Sequence, residues 1–91
     1  MNYKIRKITD LNGEERADGR YPLRKGRVID GEESIIKVGR CAILFYLKDE
    51  NGEEYTGRYL RTSEVQALNI NYETMEIEFE TLNSIYSLEV V

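Results

Sequence analysis

Histidine and tryptophan are absent from this chain of 91 residues, and cysteine and proline occur once each. Without histidine there is no side chain whose ordinary titration spans neutral pH, so the usual proton shuttle of catalysis is missing. Cys41 therefore lacks the neighbouring base that an activated thiol needs. A lone cysteine also cannot close an intramolecular disulfide, and its place in an apolar run fits a reduced, buried thiol in a cytoplasmic protein. One proline and no Ser/Pro-rich tract argue for an ordered chain. The longest unbroken apolar run, Cys41 to Leu47, spans seven residues, far short of a membrane helix. The opening Met-Asn-Tyr-Lys-Ile-Arg-Lys-Ile has no signal-peptide core. A Gly-rich phosphate loop, a cysteine pair and a serine elbow are all missing. Asp10-x-Asn12 and Asp49-x-Asn51 start like calcium loops, but glycine comes at the fourth position, not the sixth. These gaps leave no enzyme, cofactor or metal site to expect.

Positive charge is missing from one end. All thirteen Lys and Arg lie at or before Arg61, together with eleven acids, for a net +2. The last thirty residues hold six Glu and no Lys or Arg, for −6. A chain of this length forms one domain, residues 1–91, with a single core.

What is present is dominated by a repeat. Asp10 to Arg24 reads D-L-N-G-E-E-R-A-D-G-R-Y-P-L-R, and Asp49 to Arg61 reads D-E-N-G-E-E-Y-T-G-R-Y-L-R. Omitting Asp18 and Pro22 aligns them with ten of thirteen positions identical. Self-similarity of this kind points to one structural unit used twice. Each copy carries Asn-Gly, the strongest short hairpin signal, and then Gly-Arg-Tyr.

Period-two alternation is clearest near the end. Met75, Ile77 and Phe79 alternate with Glu76, Glu78 and Glu80, and Tyr86, Leu88 and Val90 resume the pattern. A turn at Asn83-Ser84 would pair Phe79 with Leu88, Ile77 with Val90 and Glu78 with Glu89. Cys41 to Lys48 reads as a central strand, followed by Asn51-Gly52 and a return over Glu53 to Leu60. Tyr3 to Thr9 reads as a strand, and Asp30-Gly31 separates Arg27-Val28-Ile29 from Ser34 to Val38. Thr62 to Ile70 reads as strand, with or without a single helical turn. Six or seven short antiparallel strands with frequent turns predict an all-β fold, a small partly open barrel of SH3-like or OB-like type.

The strings R-Y-P-L-R-K-G-R (Arg20 to Arg27), R-T-S (Arg61 to Ser63) and T-L-N-S-I-Y-S-L-E (Thr81 to Glu89) resemble those of short β-rich proteins of unknown function from Gram-positive bacteria and their mobile elements. The resemblance implies a bacterial origin and brings no activity with it.

Two surfaces could bind a partner. Glu76, Glu78, Glu80 and Glu89 form an acidic stripe suited to a basic protein, so the first expectation is a non-catalytic interaction module with a protein partner. An acidic inhibitor of a nucleic-acid-binding protein would carry the same stripe. Alternatively, Arg20, Tyr21, Arg24, Arg27, Arg58, Tyr59 and Arg61 could neutralise phosphates and stack on the bases of RNA or single-stranded DNA. That alternative predicts that the two Gly-Arg-Tyr segments lie side by side on one exposed face, and burial of both tyrosines in the core would rule it out. Arginines paired with the nearby glutamates across strands would defeat it.

Overall fold

The computed structural model describes all residues, Met1–Val91. Six strands succeed one another: β1 (Tyr3–Thr9), β2 (Val28–Ile29), β3 (Cys41–Lys48), β4 (Tyr59–Asn71), β5 (Glu76–Thr81) and β6 (Ile85–Val90). Each pairs antiparallel with the next, and β6 returns to β1, closing the barrel. The expected all-β barrel is therefore present with six strands. It closes fully, and the sequential strand order includes no Greek-key crossing. No helix is long and apolar enough to cross a membrane.

Alternation fills the interior. Ile5, Ile29, Leu44, Val65, Phe79 and Leu88 are fully buried. Phe79 stacks on Tyr86 with ring centres 5.0 Å apart and planes within 3°. Cys41 lies on the outer face of β3 and is half-buried, because Ala42 and Leu44 take the inner positions.

The repeat is a repeat in space as far as its turns. Asp10 Oδ1 accepts the backbone N–H groups of Asn12 (2.9 Å) and Glu14 (3.0 Å), and Asp49 Oδ1 accepts those of Asn51 (2.9 Å) and Glu53 (3.0 Å). Gly13 and Gly52 adopt φ of 89° and 81°, which glycine accepts without the Cβ penalty. The ladders then resume through the bridges Thr9↔Glu15 and Lys48↔Glu54. After Gly19 the first copy forms a one-turn helix, α1 (Tyr21–Arg24), which neither periodicity nor turn chemistry predicts. Pro22 sits in its first turn, where a missing N–H costs nothing. The second copy runs into β4 instead, with no strand over most of Glu53 to Leu60.

Two further expectations change. Ser34 to Val38 is not a strand but a loop holding one bridge, Ile35↔Ile43, because Asp30 Oδ1 captures the N–H groups of Glu32 and Glu33 in a local turn. Thr62 to Ile70 is strand throughout, inside β4.

The last hairpin is shifted by two residues. Ile77 pairs with Leu88 and Phe79 with Tyr86, around a turn centred on Leu82-Asn83. Thr81 decides this: its Oγ1 accepts the N–H of Ser84 at 3.1 Å, and its own N–H donates to the Ser84 carbonyl at 2.7 Å. An even shift keeps Phe79 and Leu88 inside. It moves Glu78 opposite Ser87, while Glu89 faces Lys4 of β1.

Candidate nucleic-acid interface

One mouth of the barrel collects the arginines. Tight turns deliver Arg20 and Arg24 on and beside α1, Arg27 just before β2, and Arg58 just before β4. Tyr46 comes from β3, Tyr55 from the second repeat's turn and Tyr59 from the start of β4. With Leu23 and Leu60 these nine residues line an open cleft of about 450 Å³ that contains no carboxylate among its walls.

Guanidinium and phenol groups interleave there. Arg27 lies 5.0 Å from the ring centre of Tyr46 and 4.9 Å from that of Tyr55, and Arg58 lies 4.7 Å from that of Tyr55. Outside the cleft, the ring centre of Tyr21 has Arg24 and Arg16 each 4.8 Å away. Such contacts hold the planar cations in place while leaving their N–H edges free to donate. Arg24 also donates to the Tyr86 hydroxyl at 3.4 Å, and Arg58 to that of Tyr55 at 3.4 Å.

The phenols that Arg24 and Arg27 touch, Tyr86 and Tyr46, are buried. Burial pushes the Tyr86 phenol up to about 12, although Arg24 pulls the other way. Burial likewise raises Tyr46, against the pull of Arg27. Burial disfavours the charge of Arg27, but contacts with Tyr46 and Glu50 outweigh it and hold its pKa above the ordinary value.

Ion pairing leaves the cleft cationic. The chain has three salt bridges: Arg16 with Asp18, Lys25 with Glu15, and Arg27 with Glu50 at 3.1 Å. Arg20, Arg24, Arg58 and Arg61 take no carboxylate. Within the cleft, pairing with a nearby glutamate is thus confined to Arg27, since Glu14 and Glu53 stand exposed in loops.

The structure unites Arg20, Arg24, Arg27, Arg58 and Tyr59 in one site. It separates two of the residues named with them. Tyr21 turns to the far side of α1, into a hollow with Ile8, Arg16 and Lys25. Arg61 lies on the outer face of β4 opposite Ile43. Sequence reasoning missed Tyr46 and Tyr55, and also Phe45, which pairs with Tyr59 across β3 and β4 at 5.9 Å between ring centres. Tyr46 and Phe45 were hidden inside an apolar run, whereas Tyr55 carried a signal: it replaces Arg16 in the repeat. The glutamates Glu76, Glu78 and Glu80 form a row on β5, and Glu89 lies on the neighbouring strand β6, where it faces Lys4 of β1. No protein-family model matches this chain, and neither does any curated protein or solved structure.

Proposed function

We propose that this chain is a non-catalytic, SH3-like binding module of the bacterial cytoplasm that holds RNA or single-stranded DNA in the arginine–tyrosine cleft. One observation carries the reading: four arginines converge on a cleft without a carboxylate wall, in a protein whose net charge is −4. Phosphates would replace the counterions of Arg20, Arg24 and Arg58. Tyr59, 60% exposed beside Phe45, offers a face for a base. The overall acidity sits elsewhere and limits non-specific attraction instead of abolishing the local field.

Fluorescence anisotropy of labelled single-stranded RNA and DNA tests this. Binding should weaken as salt rises, and Arg20→Gln with Arg58→Gln should lower affinity about tenfold while reducing the salt slope by about two. Absence of binding at low salt would end the reading.

A protein partner on the β5 row is a second reading, favoured by the alignment of Glu76, Glu78 and Glu80 on one outward face. Replacing all three by Gln should weaken that partner, and unchanged affinity would remove the surface.

A further inference from the structure

One strand of the closed barrel, β4, runs on past its pairing with β3. β4 pairs with β3 as far as Glu64, Val65 bonds to Gly39 and Arg40 on that same side, and from Gln66 to Asn71 only β5 pairs with it. No bridge or loop hydrogen bond covers the other side of Gln66–Ile70. Alternate N–H and C=O groups of this stretch therefore face outward unpaired, a template for a further strand.

An apolar groove of about 180 Å³ runs beside this edge. Leu68 and Ile70 contribute from the edge itself, Ile77 from β5, and Ile36 from the loop across. On the opposite face of β4, Ala67, Asn69 and Asn71 stand directly opposite Glu80, Glu78 and Glu76. No Lys or Arg lies anywhere from β4 residue 62 onward.

We propose that the Gln66–Asn71 edge takes up an extended segment of a partner protein as an added strand, apolar at alternate positions and basic between them. This rests on the reading of the β5 row as a protein-facing surface. Main-chain hydrogen bonds would supply the affinity, and the alternating side chains the choice of partner. The apolar side chains enter the groove beside Leu68 and Ile70. The basic ones face outward, two strand spacings or about 10 Å from the glutamates, within reach of a lysine or arginine. A second copy fits poorly, because edge-to-edge pairing would bring together two C-terminal regions of six glutamates and no cation each.

The probe is a blocked peptide of about seven residues alternating lysine and isoleucine, titrated into the isotope-labelled full chain and followed by NMR. Amide shifts should concentrate on Gln66–Asn71, with methyl shifts at Ile36. A peptide with glutamate for lysine should bind at least about tenfold more weakly. Ile36→Lys should block the groove and cost about tenfold. Asn69→Lys, on an exposed position outside the core, should cost about threefold with the fold intact by circular dichroism. No shifts, shifts elsewhere, or folded variants that bind unchanged would overturn the proposal. So would concentration-dependent dimers using the same amides, in favour of a second copy. If Glu76, Glu78 and Glu80 can become Gln without loss while Ile36→Lys abolishes binding, the edge stands and the glutamate-row reading falls.

Discussion

The two copies of the repeat share their turns hydrogen bond for hydrogen bond and then part company. Asp10 and Asp49 each satisfy two N–H groups through one carboxylate oxygen, at matching distances. Beyond Gly19 and Gly57 the first copy coils into α1 and the second straightens into β4. Two added residues, Asp18 and Pro22, separate these outcomes. The turn is decided by contacts no more than four residues apart, so its sequence suffices. The course of the chain after each turn depends on partners far along the sequence. Arg16 donates to the Asn83 carbonyl and, at 3.1 Å, to Ser84 Oγ of the β5–β6 turn. Its counterpart Tyr55 packs instead against Tyr46, with ring centres 5.4 Å apart. Divergence after a shared turn is what brings Arg20 and Arg58, equivalent in the alignment, into one cleft.

Arg16→Tyr, which gives the first copy the residue of the second, breaks the comparison most sharply. It removes two charge-assisted hydrogen bonds and should cost about 2–3 kcal/mol in urea unfolding. Alkaline pH comes next and sharpens the contrast between Arg24, which rests on Tyr86, and the outward Arg61. Folded Tyr86 keeps its proton to about pH 12, whereas an unfolded tyrosine releases it near 10. Its contribution is therefore whole below pH 10 and is lost as pH rises toward 12, about 2–3 kcal/mol in a pH series of denaturation curves. Arg24→Leu should enlarge that loss, because Arg24 favours the phenolate, and Arg61→Leu should leave it alone. Gly13→Ala and Gly52→Ala should each cost about 1–2 kcal/mol, since both demand a left-handed backbone without crowding. Equal costs would show that the turns are energetic equivalents; a large inequality would break the equivalence. Smallest is Glu50→Leu, which copies Leu11 into the second unit and removes the ion pair with Arg27. A thermal melt should register about 1 kcal/mol or less, because the pair is partly solvated.

Much of the architecture was legible in the residues. Strands β1, β3 and β5 announce themselves by alternation or by β-branched and aromatic runs, and the Asn-Gly turns by their chemistry. The register of the β5–β6 hairpin was not. Thr81 and Ser84 hold its turn through a side-chain hydroxyl, and alternation cannot distinguish registers two residues apart. The helix over Tyr21–Arg24 escaped because four residues give no periodicity, although Pro22 marks its first turn. For the cleft, the clustering of Arg20, Arg24 and Arg27 in the sequence and the repeat's Arg58 anticipated that these side chains gather. The tyrosines that hold them came from strands whose apolar character masked any second role. Tyr21 misled because identity within the repeat concealed the change of backbone after Gly19.

A barrel is only as continuous as its shortest ladder. β2 contributes two residues, Val28 and Ile29, between β1 and β3, so the wall is thinnest immediately after Arg27. Arg24 and Arg27 stand on one side of that seam and Arg58 on the far side of β3. An anion gripped by all three would act as a clasp across the weakest join of the ring. Occupancy would then be felt as slower amide exchange along Val28 and Ile29, residues that touch no ligand.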